Sequence, residues 1–313
     1  MQVPLRVRFR GVLDREAVLL RGPGGWGEFS PFLKYDDAES ARWLAAAREA
    51  ADGGWPAPLR ASVPVNATVP AVAAERVPEV LARFPGCTTA KVKVAEAGQS
   101  LADDLDRVAA VRDVLGAAGR VRVDANGGWS VPDALRALRL LSAYGLEYAE
   151  QPCAGVDELA ALRVALARAG VDVPVAADES VRRAEDPLRV ARAGAADVVV
   201  LKVAPLGGVR RALSIASDCG LPVVVSSALE TSVGIAAGVA LAAALPELPY
   251  ACGLATVNLL AGDVVRTPLD GHGGVLGVGP VAPDPDLLAR WAAPAERAEA
   301  WRARLLRCGA LLG

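Results

Sequence analysis

Histidine and cysteine are scarce in this sequence, which has one histidine, His272, and five scattered cysteines with no CxxC spacing. Neither a common zinc site nor a disulfide framework is indicated, so a reducing cytoplasm is expected. There is no apolar signal core at the N-terminus, no apolar run long enough to cross a bilayer and no basic run. With a formal net charge of −2, the chain is predicted to be soluble and to bind neither nucleic acid nor membranes. Small-molecule chemistry is therefore the leading class of function.

Lysine is also rare in this sequence. The chain has 34 lysines and arginines, yet only Lys34, Lys91, Lys93 and Lys202 are lysines. Arginine stays protonated in proteins, whereas burial or a neighbouring cation can lower the pKa of a lysine. Lysines inside apolar strand-like runs, such as TTAKVKV (88–94), are therefore candidate bases. Lys34 lies outside any such run and is expected to be an ordinary surface lysine.

The main part of the chain repeats one pattern from about residue 59 onward. Short β-branched runs alternate with Ala/Leu/Arg-rich segments of helical spacing. The predicted strands are 61–69, 88–94, 120–126, 146–151, 173–180, 197–203, 221–227 and 250–256. Strands that alternate with helices imply parallel pairing, and eight such units close most readily into a (β/α) barrel. A doubly wound open sheet is the alternative fold.

The two ends of the chain depart from this pattern. RVRFRGVLDREAVLLRG (6–22) alternates like an antiparallel hairpin, and DDAESARWLAAAREA (36–50) has helical spacing. The tail from 263 contains another short extended run and a helix. We therefore predict an α/β fold with a modified TIM barrel, (β/α)7β-like, over 59–262. Segments 1–58 and 263–313 are predicted to form an α+β capping domain.

Ionisable residues fall at the ends of consecutive predicted strands. They are Lys93, Asp124, Glu150, Asp178 and Lys202. Chemistry in such barrels belongs at the C-terminal ends of the strands, where these side chains would converge. Taken singly, each carboxylate is better explained structurally: Asp124 as a turn former, Glu150 as a solvated strand end and Asp178 as a helix N-cap. The occurrence of ionisable residues at five consecutive strand ends predicts a site.

The three carboxylates of this set predict a metal ion. Asp124, Glu150 and Asp178 would repel one another unless a cation lay between them. Oxygen ligands without histidine or cysteine favour Mg²⁺, with Mn²⁺ also possible. Lys91 and Lys93 share one face of a strand, and like charge together with the metal is expected to lower the pKa of both. A lysine then becomes a usable base.

The ordered motifs resemble the enolase superfamily, muconate-lactonising subgroup. They are KVK (91–93), VDAN (123–126), EQP (150–152), ADES (177–180) and LKVAPLGG (201–208). GWGEFSPF (25–32) is similar to the substrate-covering loop of this group. Together with SSALETSVG (226–234) and GLAT (253–256), the set is most similar to the family of o-succinylbenzoate synthases.

This resemblance implies dehydration of 2-succinyl-6-hydroxy-2,4-cyclohexadiene-1-carboxylate in menaquinone biosynthesis. It implies that Lys93 is the base and that Lys202 stabilises an enediolate from the opposite face. The resemblance also implies that Lys91 tunes Lys93 and that Asn126 and Glu179 support the metal ligands. Ser226 and Ser227 would bind a substrate carboxylate, and Trp26 and Phe29 would close over the ring.

Other functions are compatible with the same residues. An N-acylamino-acid racemase needs two lysines on opposite faces of the α-carbon, and the motifs separate it poorly from a dehydratase. Dipeptide epimerases and muconate cycloisomerases are further relatives. A Schiff-base lyase using Lys202 would leave the aligned carboxylates unexplained. A non-catalytic binding barrel would require any metal to be structural. The oligomeric state is not indicated.

Overall fold

The computed structural model describes residues 1–9, 11–183 and 186–313. Its strands are β1 (Gln2–Phe9), β2 (Val12–Glu16), β3 (Val18–Gly22), β4 (Gly25–Phe29), β5 (Ser62–Pro64), β6 (Ala67–Val69), β7 (Thr89–Lys93), β8 (Arg120–Asp124), β9 (Leu146–Glu150), β10 (Val175–Ala177), β11 (Val198–Leu201), β12 (Val223–Val225) and β13 (Val275–Gly277). Its α-helices are α1 (Asp37–Arg48), α2 (Val77–Leu81), α3 (Leu101–Leu115), α4 (Val131–Leu141), α5 (Val156–Arg168), α6 (Glu179–Arg182), α7 (Arg189–Arg192), α8 (Val203–Leu206), α9 (Val209–Cys219), α10 (Ser232–Ala244), α11 (Pro285–Arg290) and α12 (Ala295–Ala310).

Strands β6 to β12 form one parallel sheet in which each strand pairs with the next along the chain. The strands are rich in valine and alanine, and all five residues of β7 are buried. Such continuous burial is typical of parallel strands that are covered on both faces. Helices α3, α4 and α5 follow β7, β8 and β9, and α9 lies between β11 and β12. Ser100 and Ser130 cap the first turns of α3 and α4.

The sheet closes through residues 252 and 253. Cys252 bridges to Val65 just before β6, and Gly253 bridges to Ser226 just after β12. A Cβ at Gly253 would lie 2.5 Å from the Ser226 hydroxyl oxygen, so this close pairing requires glycine. The barrel is therefore closed by two bridges between its first and last strands. The interior contains a small apolar cluster that includes Tyr148 and Val200.

The ends of the chain form a cap. Strands β1 and β2, and then β3 and β4, make two antiparallel hairpins, and α1 follows with Asp36 as its N-cap. Helix α12 returns to pack on α1. Its buried Arg304 donates to the carbonyl of Tyr35 at 2.7 Å and to the hydroxyl of Ser40 at 2.7 Å. The C-terminal helix thus holds the segment that leads into α1.

The predicted modified barrel with an α+β cap is confirmed, with three local differences. Residues 6–22 enter two hairpins rather than one. The predicted strand 61–69 is divided, because Ser62–Pro64 pairs antiparallel with β13 while Ala67–Val69 joins the barrel. The predicted strand 250–256 is reduced to bridges, because the chain enters a 3₁₀ turn at Thr256–Leu259. None of the helices in the described ranges combines the length and apolar character needed to span a bilayer.

Candidate active site

Strand register brings the predicted site residues together. Lys93 pairs with Asp124, and Asp124 pairs with Glu150, so the last residues of β7, β8 and β9 lie side by side. Ala176 pairs with Glu150, which places Asp178 just beyond the end of β10. Lys202 follows β11 directly. These residues are buried, although all carry charge at neutral pH in water, so the site must compensate their charges internally.

The turns after three of these strands have left-handed backbone. Ala95, Asn126 and Gln151 have φ values of 57°, 48° and 38°. This conformation is costly for residues other than glycine and is common at functional sites. The Gln151 side chain helps to hold its turn, because its Oε1 accepts from the backbone N–H groups of Asp178 at 2.9 Å and Ser180 at 3.1 Å. The loops at the barrel mouth are thereby tied to each other.

The first half of the site is a lysine and carboxylate network. Lys91 Nζ lies 2.8 Å from both oxygens of Glu150 and 3.3 Å from Asp124 Oδ2. Lys93 Nζ donates to Asp124 Oδ2 and, at 2.8 Å, to Asn126 Oδ1. Asn126 in turn donates to Glu179 Oε1 at 3.2 Å. Both lysines of KVK therefore contact Asp124, and Lys91 also contacts Glu150.

The second half of the site is centred on Asp178. Lys202 Nζ donates to Asp178 Oδ2 at 2.6 Å, and Arg182 Nε donates to Asp178 Oδ1 at 3.0 Å. Arg182 also contacts Glu179 at 2.7 Å and the Tyr35 hydroxyl at 3.0 Å. Asp178 precedes α6, yet its side chain does not cap that helix. Its carboxylate is held by cations, which argues against the simpler explanation of Asp178 as an N-cap.

Burial and neighbouring charges shift the pKa values of the three carboxylates in different directions. Burial, followed by the charge of Asp124, raises the pKa of Glu150 to about 7 even though Lys91 is adjacent. For Asp124 burial acts in the same direction, but Lys93 and Lys91 outweigh it and hold the pKa of that carboxyl well below its usual range. Arg182 and Lys202 likewise lower the pKa of Asp178 to about 2. Glu150 is thus the carboxylate whose charge is least compensated.

The pKa of Lys91 contradicts the prediction that both lysines of KVK have a lowered pKa. Burial does favour its neutral form, but the carboxylates of Glu150 and Asp124 outweigh burial, and the pKa of Lys91 is raised. Repulsion between the two lysines alone would lower the pKa of Lys91, but its contacts with the carboxylates of Glu150 and Asp124 have the larger effect. In this arrangement Lys91 acts as a fixed counter-ion to Glu150.

The three carboxylates suit a hard divalent ion by chemistry, and they lie at the ends of neighbouring strands, but their side chains are not grouped around one point. Asp124, Glu150 and Asp178 present only oxygen and end neighbouring strands, which is the kind of ligand set that Mg²⁺ prefers. Their side chains are turned toward Lys91, Lys93, Lys202 and Arg182. Over the described ranges, no three His, Cys, Asp or Glu side chains are grouped as metal ligands. A bound ion would have to displace ammonium groups, so the ligand roles stay a prediction.

A cavity of about 550 Å³ lies between the strand ends and the cap. Its walls include the predicted residues Lys91, Lys93, Asn126, Glu179, Lys202, Ser226 and Ser227. Ser227 Oγ is 2.7 Å from Thr256 Oγ1, which joins the last two segments of the barrel at the cavity wall. The cavity is large enough for a small organic acid. Charged groups at the strand ends line one side of it, and cap residues line the other.

Trp26 and Phe29 do not line this cavity, so the expected contacts with a substrate ring are corrected. Phe29 is fully buried and packs edge-on against Trp301, with ring centroids 5.8 Å apart. Trp26 packs near Val233 of α10 and Val265. The cap places Phe9 and Phe32 at the cavity instead. The motif GWGEF forms β4, whose Phe29 packs in the cap and whose Trp26 and Glu28 contact residues at the start of α10.

Several cavity residues were missed by the sequence argument. Tyr35 and Arg15 come from the cap, and Lys34, expected to be an ordinary surface lysine, is exposed at the cavity mouth. The sequence carries no local signal for these three, because the folding of the cap onto the barrel decides their position. Arg182 could have been found, since it lies four residues after Asp178, the spacing that aligns side chains on a helix.

Comparison with known proteins supports the family resemblance that the sequence motifs indicate. Residues 72–283 match the family model described as enolase C-terminal domain-like, and residues 1–51 match the model described as enolase N-terminal domain-like. A solved muconate lactonizing enzyme from Pseudomonas fluorescens, complexed with muconolactone, is similar in fold. It has a TM-score of 0.78 and 24% identity over 93% of this chain and 96% of that chain.

Two curated relatives are much more similar in sequence. The o-succinylbenzoate synthase of Thermobifida fusca is 66% identical over 88% of this chain and 85% of its own length. The o-succinylbenzoate synthase of Mycolicibacterium smegmatis is 61% identical over 99% of this chain and 94% of its own length. The family resemblance drawn from the motifs is confirmed by these matches. The chain therefore belongs to the enolase superfamily and, within it, to the o-succinylbenzoate synthase family.

Proposed function

We propose that this chain dehydrates 2-succinyl-6-hydroxy-2,4-cyclohexadiene-1-carboxylate to o-succinylbenzoate in menaquinone biosynthesis. The observation that carries the proposal is the placement of Lys93 and Lys202 at one cavity, each against a different buried carboxylate. Identities of 56 to 66% to o-succinylbenzoate synthases support this reaction. The proposal includes a cytoplasmic location and the division into segments 1–58, 59–262 and 263–313.

Asp124, Glu150 and Asp178 would hold Mg²⁺, with Mn²⁺ possible, and the ion would supply positive charge beside the substrate carboxylate. Lys93 would be the base. In its neutral form Nζ takes the proton from the carbon α to the carboxylate, and the electron pair of that C–H bond moves toward the carboxylate. Lys93 then returns the proton to the departing hydroxyl, so water leaves and the ring becomes aromatic.

The remaining side chains would hold the substrate and the base in place. Lys202 would place its ammonium beside the negative charge that develops on the opposite face. Asn126 accepts from Lys93 and donates to Glu179, so it would orient the base. Lys91 would neutralise Glu150. Ser226 and Ser227 would donate to a substrate carboxylate at the cavity wall.

The direct test is turnover of the cyclohexadiene substrate beside N-succinyl amino acids, with the Mg²⁺-loaded protein. We expect dehydration to have a kcat/KM at least about tenfold above that of any racemisation, because the relatives share this reaction name at high identity. A reversed preference would identify the chain as an N-acylamino-acid racemase. Turnover of neither substrate would favour a non-catalytic binding barrel.

A further inference from the structure

Arg15, on strand β2 of the cap, is a buried cation at the cavity. Its side chain is only 2% exposed, yet it forms part of the cavity wall. It faces the barrel from the cap, whereas Lys93 and Lys202 approach from the strand ends. Nothing in the proposed proton transfer uses this guanidinium.

The partners of Arg15 are all neutral. Nε donates to the Leu229 carbonyl at 3.0 Å, and Nη2 donates to the carbonyl and, at 3.0 Å, to the hydroxyl of Ser30. The guanidinium also lies 4.6 Å from the centre of the Phe32 ring. Within the described ranges, no carboxylate is within ion-pairing distance of Arg15. A buried charge without a counter-ion is costly, so a partner is expected to come from outside the chain.

The nearest acidic residues have other partners. Glu28 accepts from the backbone N–H groups of Thr231 at 3.1 Å and Gly234 at 3.2 Å, and Glu230 accepts from that of Ala228. Burial lowers the pKa of Arg15, with Glu28 and Glu230 opposing the effect. An arginine remains protonated at neutral pH even so. The cavity therefore presents a positive charge that is not part of the lysine and carboxylate network.

We propose that Arg15 binds the substrate carboxylate that is remote from the reacting carbon and so selects for dicarboxylates. This inference rests on the proposed function, in which that group is the succinyl carboxylate. The reacting carboxylate belongs beside Lys93 and Lys202. Arg15 lies next to the loop that carries Ser226, Ser227 and Leu229, at the cap side of the same cavity. Nε and Nη2 already donate to Leu229 and Ser30, which fix the plane of the guanidinium, so Nη1 is the nitrogen that is left to donate to a carboxylate.

The test compares two ligands that differ only in the remote carboxylate. They are o-succinylbenzoate and 2-butyrylbenzoate, in which a methyl group replaces that carboxylate. Dissociation constants are measured by calorimetry on the Mg²⁺-loaded protein, for the wild type, Arg15→Gln and the control Arg21→Gln. Arg21 is an exposed arginine on the neighbouring strand β3 and does not line the cavity.

We expect the wild type and Arg21→Gln to prefer o-succinylbenzoate. Arg15→Gln is expected to reduce that preference by about 10- to 100-fold, the usual worth of a hydrogen bond to a charged group, with little change for 2-butyrylbenzoate. An equal loss of affinity for both ligands would show that Arg15 only supports the fold and would overturn the inference. So would a wild type without any preference.

A second variant covers the case in which Arg15→Gln does not fold. Arg15→Lys keeps the charge but cannot make all the contacts with Leu229 and Ser30 that fix the cation at the cavity, so we expect part of the preference to be lost. An unchanged preference in Arg15→Lys would overturn the inference. The proposed function fails separately, because it requires turnover of the cyclohexadiene by the wild type, whatever the binding preference.

Discussion

Lysine is used sparingly in this chain, and three of its four lysines contact carboxylates at the barrel mouth. Elsewhere buried positive charge is carried by arginine, as at Arg15, Arg107 and Arg304. Charge alone therefore does not explain the lysines. A residue that must give up and regain a proton has to be lysine, because arginine does not lose its proton in proteins.

Replacement of Lys93 by arginine tests this distinction. We expect Lys93→Arg to fold and to bind metal, while turnover falls by at least about 10²–10⁴-fold, the typical loss when a general base is removed. The measurements are turnover, metal titration and circular dichroism. Arg120→Lys, a charge-preserving change at the opposite end of the neighbouring strand β8, is the control. Near-normal dehydration in Lys93→Arg would show that Lys93 is not the base.

At the scale of secondary-structure elements, β4 is joined to the N-terminus of α10 by one buried side chain. Glu28 accepts from the Thr231 and Gly234 N–H groups, which are among those that have no partner within the helix. Burial, and then the charge of Glu230, raise the pKa of Glu28 to about 7, while Thr231 and Arg15 oppose them. A single carboxyl thus couples the cap to the barrel.

This contact should make stability depend on pH. The folded state keeps the proton of Glu28 up to about pH 7, whereas an ordinary glutamate loses it near 4.5. The folded state binds more protons in this window, so the free energy of unfolding should fall as pH rises through it, on the order of 3 kcal/mol. Denaturant unfolding of the wild type and Glu28→Gln at pH 4.5 and pH 7 measures the effect.

We expect the wild type to gain stability relative to Glu28→Gln as pH is lowered through that window. The exposed Glu296→Gln, on α12, serves as the control for loss of one carboxylate. A stability difference between the wild type and Glu28→Gln that is constant across the window would show that Glu28 is not protonated in the folded state near neutral pH.

At the scale of the whole molecule, buried charge is balanced within the site. Lys91, Lys93, Lys202 and Arg182 face Asp124, Glu150, Asp178 and Glu179 across the barrel mouth. Breaking one buried ion pair leaves an uncompensated charge and is costly. Because these charges compensate one another, we expect the barrel to stay folded whether or not a divalent ion is bound.

Chelation should therefore abolish turnover without unfolding the protein. We expect activity to disappear in excess chelator and to return with Mg²⁺. The far-ultraviolet circular dichroism spectrum should be unchanged, and the melting temperature should fall only by the lost binding free energy of the ion. Full turnover after verified metal removal would exclude the metal from the reaction. Unfolding on removal would show that the side chains alone do not balance the charge.

Much of this protein could be predicted from local patterns. Each parallel strand is a short β-branched run followed by a helical segment, so the strand ends bearing Asp124, Glu150 and Lys202 can be located without knowing any long-range contact. Closure of parallel strands into a barrel then brings those ends together, because hydrogen-bonded neighbours share one register. The barrel and the lysines and carboxylates at its mouth could thus be predicted from local sequence patterns.

The way in which the cap completes the cavity depends on long-range contacts that local patterns do not predict. Arg15 reaches Leu229 and Glu28 reaches Thr231, contacts between residues more than two hundred positions apart. The same docking turns Phe29 into the cap core and brings Tyr35 to Arg182. No periodicity within a strand or helix encodes such contacts, because they depend on which faces of the cap and barrel bury the most apolar surface against each other.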